Sequence, residues 1–97
     1  MKAATKTQLE TLVRKMDSLS GESYVEAHAE TLALVRNILD DAGLSIKLGK
    51  RYSSTITRNR LRRVEFMRNG QVVRTYDVAD GPAAYVRARA ILAEVAR

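Results

Sequence analysis

Lysine and arginine side chains crowd the segment from residue 47 to residue 74. It holds nine Lys/Arg against one Asp/Glu, whereas residues 1–46 hold five against seven and residues 75–97 three against three. A guanidinium presents a planar fork of donors that matches phosphate oxygens or the edge of a guanine. One concentrated basic segment on a near-neutral body is typical of a polyanion-binding protein. A second interpretation stays open, because arginines on exposed strands also keep sheet edges from pairing.

Few other residues offer catalytic or metal-binding chemistry. His28 is the only histidine, and it falls on the predicted apolar stripe of a helix. The chain has no cysteine, which excludes disulfides, thiolate metal sites and cysteine nucleophiles. The carboxylate pair Asp40–Asp41 comes at the end of the same predicted helix, where solvation is its simplest explanation. We therefore expect no enzymatic activity, no cofactor and no bound metal.

The length of the chain limits its organisation. Its 97 residues suit one domain around a single core. No apolar run approaches the roughly 20 residues that a membrane span requires, and the N-terminal residues have no apolar centre like that of a secretory signal. The sequence therefore predicts a soluble cytoplasmic protein without membrane partners. Residues 1–4 are expected to be disordered.

Residues 5–43 predict an antiparallel pair of helices. The first is expected to begin near Thr5 or Thr7, and the two are joined by a short loop at Ser18–Gly21. Helical spacing gives the first helix an apolar stripe of Leu9, Leu12, Val13, Met16 and Leu19. The stripe predicted for the second, over residues 23–42, consists of Val25, His28, Leu32, Val35, Leu39 and Ala42. Gly43 suits the end of that helix, and its broad stripe could also form a homodimer.

Residues 51–78 predict a basic antiparallel sheet of three strands, and Asn69–Gly70 is its strongest turn signal. A two-residue turn there places Arg68 opposite Gln71, Met67 opposite Val72 and Phe66 opposite Val73. The face that should pack on the helices then carries Val64, Phe66, Val73 and Thr75. A first strand over residues 51–57 adds Tyr52 and Ile56 to this buried set.

The other face of the predicted sheet is expected to carry the binding residues. It collects Arg51, Arg63, Arg74 and Tyr76, and the turns add Arg58, Arg60 and Arg68. Two cross-strand ion pairs, Glu65 with Arg74 and Arg62 with Asp77, would neutralise part of this charge. The remaining excess of arginine favours an anionic partner over edge protection alone.

A final helix over residues 82–96 follows "DGP" at Asp80–Pro82, with Asp80 as its predicted cap. The predicted fold is α+β, with the order ααβββα in one domain. The three strands and last helix share their order with arm-binding modules of integrases, and adding the second helix gives the order of double-stranded RNA-binding domains. The glycine and lysine signature that opens the last helix of the RNA-binding class is missing from "DGPAAYVRAR". Element order alone does not establish function.

These observations predict a small accessory or regulatory protein that binds nucleic acid, DNA rather than RNA, through an arginine-rich sheet. The alternative is an adaptor or inhibitor that docks its basic sheet or its helical pair on an acidic partner protein.

Overall fold

The fold is described by a computed structural model covering residues 2–18, 22–53, 55–56 and 59–97. Three helices and one three-stranded antiparallel sheet follow each other in the predicted order, which confirms the α+β fold. The elements are α1 (Ala3–Ser18), α2 (Glu22–Ala42), β1 (Ser45–Ser53), β2 (Arg60–Arg68), β3 (Gln71–Ala79) and α3 (Ala83–Val95).

Helix α1 begins two residues before its predicted start, so Ala3 and Ala4 are helical rather than disordered. The Thr7 hydroxyl donates to the Ala3 carbonyl 3.1 Å away, one turn back, and therefore does not cap the helix. The predicted stripe is confirmed over the described residues, because Leu9, Leu12, Val13 and Met16 are buried. Leu19 and the rest of the predicted loop to Gly21 lie outside the described residues.

The buried stripe of α2 differs from the predicted one. Its buried members are Ala27, Thr31, Val35 and Leu39, whereas Val25 is 65% exposed. The Thr31 hydroxyl is satisfied within the helix, since it donates to the Ala27 carbonyl at 2.7 Å. The stripe packs against other helices of the same chain, and the predicted homodimer through residues 23–42 stays a prediction.

Gly43 ends α2 as predicted. Its φ of +67° is left-handed, and two bonds close the last turn: Leu44 N to Leu39 O at 2.9 Å and Gly43 N to Asp40 O at 3.1 Å. These are the two bonds of a Schellman motif, which satisfies carbonyls left free at a helix end. The motif turns the chain directly into β1.

Strand β1 begins at Ser45, six residues before the predicted strand. Ile46 and Leu48 alternate onto the helix side, where they pack against the core. The predicted inward positions are wrong, because Tyr52 is 39% exposed and Ile56 lies in the turn after β1, 93% exposed. Arg60, which was predicted to lie in a turn, belongs to β2.

An extra residue in β3 changes the predicted register. Arg68 pairs with Gln71 and Met67 with Val72, as predicted, but Phe66 pairs with Arg74 because a bulge intervenes at Val73. Beyond a bulge of one residue, every side chain on that strand changes face. The buried positions predicted for Val73 and Thr75 are therefore wrong, and both side chains are exposed. Val64 and Phe66 on β2 are buried as predicted.

A second bulge lies in β1, between the pairs Leu48–Val64 and Arg51–Arg62. Two residues of β1, Gly49 and Lys50, there face the single residue Arg63. A Cβ added to Gly49 would lie 3.2 Å from the Arg63 carbonyl oxygen, so glycine permits this close approach. Both edge strands thus carry a bulge, which increases twist and hinders pairing with another sheet.

Helix α3 forms the centre of the core. It contacts all three strands and both other helices, and Ala84, Val86, Ala88 and Ala90 are fully buried on different sides of it. Small side chains let neighbouring elements approach this helix closely. The predicted cap is wrong: Pro82 is the N-cap without a side-chain hydrogen bond, and Asp80 instead accepts from Gly81 N at 2.9 Å.

Candidate functional site

The seven predicted binding residues include Arg58, which lies outside the described residues. The other six do not form one surface, because the structure places them in four environments: the interface with α3, the open face of the sheet, and the two opposite ends of the sheet. Arg60 and Arg68 stand at the two ends of the nine-residue strand β2, about 26 Å apart at 3.3 Å per residue.

Arg74 and Tyr76 lie on the helix side of the sheet, contrary to the prediction that placed them on the open face. The bulge at Val73 turns both toward α3, where Arg74 Nε is 3.1 Å from Glu94 Oε2 and the Tyr76 hydroxyl donates to the same carboxylate. The Tyr76 ring also packs edge-on against Phe66, with 5.7 Å between ring centroids. These two side chains join the sheet to α3 and are poorly placed for an external partner.

The environment of Tyr76 makes the folding stability of the domain depend on pH in the alkaline range. Partial burial raises the pKa of Tyr76, the hydrogen bond to Glu94 raises it further, and Arg74 lowers it. The folded chain therefore holds this proton more tightly than the unfolded chain, whose tyrosine titrates near about pH 10. The resulting stabilisation is complete below that pH and is lost as the pH rises through the folded pKa.

We expect Tyr76→Phe to lower the free energy of unfolding by about 1 kcal/mol at neutral pH, because the Glu94 hydrogen bond is lost. The loss of stability above about pH 10 should become shallower but not vanish, since burial also raises the pKa of Tyr85. Urea unfolding between about pH 7 and pH 11 measures both effects. An unchanged pH profile in the variant would contradict this assignment.

Among the predicted arginines that the structure describes, Arg63 alone lies on the open face. It is exposed as predicted, and its Nε lies 3.6 Å from Asp77 Oδ1 on the neighbouring strand. Tyr52 lies beside this pair: partial burial raises its pKa, Asp77 raises it further and Arg63 lowers it. The next row across the sheet sets Lys47 opposite Glu65. Lys50 also faces Arg63 at the β1 bulge, so these two rows carry three cations against two carboxylates. The open face is therefore close to neutral and is not the strongly basic surface that the sequence predicted.

Arg68 contacts the C-terminal end of helix α2. Its guanidinium donates to the Ala42 carbonyl at the C-terminus of α2, with Nη2 3.3 Å from the oxygen. A cation is favourable there, because the last carbonyls of a helix carry partial negative charge. Arg68 thereby holds the β2–β3 turn against α2.

The remaining described candidates, Arg51 and Arg60, lie together at the opposite end, where β1 and β2 meet their connecting turn. Arg60 pairs with Ser53, and Arg51 stands directly opposite Arg62. Arg51 Nε is 3.4 Å from Asp80 Oδ1, and Arg62 Nε donates to the Gly49 carbonyl at 3.3 Å. Arg58 belongs to the same turn in the sequence but lies outside the described residues. We call Lys50, Arg51, Arg60 and Arg62 the hairpin cations.

This end of the hairpin projects from the body of the domain. Every described side chain from residue 50 to residue 60 is exposed, on both faces of the two strands. A shallow recess between the strand ends and the start of α3 is lined by Arg51, Tyr52, Ser53, Arg60 and Asp80. Asp80 is the one acidic side chain in an ion pair with a hairpin cation within the described residues.

Lys50 and Arg62 were not among the binding residues predicted from the sequence. The predicted first strand began only at residue 51, after Lys50, and Arg62 was expected to pair with Asp77. Gly49 was an available signal, because a glycine after the alternating Ile46 and Leu48 is typical of a bulge. A bulge at that point carries the strand onward past Lys50, which faces Arg63, to Ser53, which pairs with Arg60.

The described residues contain no group of three or more His, Asp or Glu side chains arranged to hold a metal ion. None of the described helices is both long enough and apolar enough to cross a bilayer. Comparison of the chain with protein-family models, with curated proteins and with solved structures gives no match.

Proposed function

We propose that this domain is a non-catalytic nucleic-acid-binding protein that holds DNA through the projecting end of the β1–β2 hairpin. The hairpin cations contact backbone phosphates, and Arg58 in the connecting turn adds to them. Exposed hydroxyls at Ser53 and Thr55 supply further phosphate donors. An accessory or regulatory role fits a domain of this size.

The observation that carries the proposal is the pairing of Arg51 with Arg62 across the hairpin. Like charges directly opposite each other destabilise a pair of strands. Here Asp80 offsets one arginine and the Gly49 carbonyl accepts from the other, while Lys50 and Arg60 add two more positive charges nearby. Edge protection needs no such concentration, whereas a phosphate backbone would neutralise it.

The shape of the hairpin also suits a duplex. Strand β3 flanks β2 as far as Arg60, where Asp80 N donates to the Arg60 carbonyl at 3.1 Å, so this end belongs to a narrow three-stranded sheet. DNA-binding proteins of the β-sheet class place such strands in a groove. The exposure of both faces of the hairpin end leaves cations free to reach phosphates on either side. The nearly neutral open face and the arginines that contact Glu94 or Ala42 lack these properties.

The alternative partner is an acidic protein surface, which could contact the same cations. Counterion release separates the two cases, because contacts with duplex phosphates make the logarithm of affinity fall linearly with the logarithm of salt concentration. An acidic protein would compete for the hairpin without requiring a nucleic acid.

The test is binding of the full chain to a fluorescent duplex of about 30 base pairs, followed by anisotropy from about 50 to 200 mM salt. We expect a log–log slope near about −4, which corresponds to four or five phosphate contacts. An acidic polypeptide of equal charge density serves as the matched competitor. Absence of duplex binding at the lowest salt would overturn the proposal, and retention on the acidic polypeptide would then favour protein docking.

A further inference from the structure

Ile56 is the most exposed of the large hydrophobic side chains in the described structure, at 93%. It lies in the β1–β2 turn, beyond the last strand pair, Ser53 with Arg60. Isolated apolar side chains are common on protein surfaces, so exposure alone does not indicate a role. The position of Ile56 at the tip of the cationic hairpin is what requires an explanation.

The reach of Ile56 beyond the end of the strands is comparable to the depth of a DNA groove. Ile56 is three residues beyond Ser53, and three extended residues span at most about 10 Å. The grooves of B-DNA are about 7.5–8.5 Å deep. Thr55 and Ile56 form a turn, so about 10 Å is the upper limit of this reach. That limit exceeds the depth of a groove, which allows Ile56 to approach the base pairs while Arg60 and its neighbours contact phosphates at the rim.

We infer that Ile56 inserts as a wedge between two adjacent base pairs and bends the duplex at that step. This inference rests on the proposed function and defines its partner more closely, as double-stranded DNA that is kinked when bound. Apolar side chains of minor-groove and architectural proteins unstack base steps in this manner, and phosphate contacts beside the kink compensate for the cost. The hairpin cations are placed to make those contacts.

An anionic lipid surface would also attract cations next to an apolar side chain. Binding of that kind increases with the apolar area that enters the interface. The tip segment "SSTITRN", residues 53–59, contains only one apolar residue, and described neighbours such as Thr55 and Asn59 are polar. A wedge between base pairs needs only one such side chain, so the composition of the tip favours DNA.

The experiment measures binding and bending on one duplex of about 30 base pairs with donor and acceptor dyes at its ends. Wild-type protein should raise the energy transfer on binding, because a kink brings the ends together. Ile56→Ser should bind about three- to tenfold more weakly and leave the energy transfer near that of free DNA. Ile56→Met keeps a large apolar side chain and should therefore raise the energy transfer as the wild type does. Ile56→Ser should fold normally, since the side chain is in solvent.

Val72→Ser is the matched control, because Val72 is a half-exposed valine on the open face, away from the hairpin tip. It should bend DNA like the wild type. Wild-type binding without increased transfer, or equal bending by Ile56→Ser, would overturn the wedge and leave the proposed function standing. Absence of any anisotropy change would overturn both. Ile56-dependent binding to vesicles with anionic lipid, without DNA bending, would assign the tip to a membrane instead.

Discussion

A variant carrying Lys50→Glu and Arg60→Glu is expected to bind duplex DNA about 100-fold more weakly than the wild type at about 50 mM salt. Each substitution removes a phosphate contact and adds a negative charge that repels the backbone. The log–log salt slope should flatten from about −4 to about −2, because roughly half of the contacts are lost. Both side chains are exposed, so the free energy of unfolding should change little.

The control for this variant makes the same change in net charge elsewhere. Arg14→Glu with Arg36→Glu alters two exposed arginines on α1 and α2, away from the hairpin. If the hairpin holds the DNA, this control should lose no more than about threefold in affinity. Equal losses from the two double variants would show that overall charge, rather than the hairpin end, attracts the duplex.

Phe66→Ala is expected to cause the largest loss of stability. Phe66 is 3% exposed and packs among Tyr76 and the buried residues of α3. Removing so large a buried side chain costs about 3–5 kcal/mol, which is a large share of the 5–15 kcal/mol typical of a whole domain. Urea unfolding followed by far-UV circular dichroism gives the measurement.

If Phe66→Ala fails to fold, two further variants still test whether the Phe66 face of the sheet is buried. Phe66→Leu should retain the fold with a loss of about 1–2 kcal/mol. Val72→Ala lies on the opposite face, half exposed, and should cost less than about 1 kcal/mol. A greater loss from Val72→Ala than from Phe66→Leu would mean that the other face of the sheet is buried.

The order of elements and the core residues of β2 were predictable because local patterns specify them. Helical spacing identified the buried side of α1, and Asn69–Gly70 set the first two cross-strand pairs correctly. The bulge at Val73 was not predictable, because Val72 and Val73 are both β-branched and fit either face equally well. That single residue moved Arg74 and Tyr76 from the predicted binding surface to the interface with α3.

The candidate site was predictable as a charged segment but not as a surface. Nine cations in residues 47–74 are evident from the sequence, whereas their partners come from distant segments: Glu94 on α3 for Arg74, and Ala42 on α2 for Arg68. Long-range contacts of this kind have no local signature. What remains for an external partner is the set of cations that the fold leaves at the projecting end.

The central position of α3 also affects how the protein is made. Helix α3 contacts every other element but is translated after all of them. Until α3 packs onto the sheet, Val64 and Phe66 lack the helix that covers them. In that state the chain presents an apolar sheet face beside a cationic hairpin, and a chaperone that shields such a face would act before α3 docks.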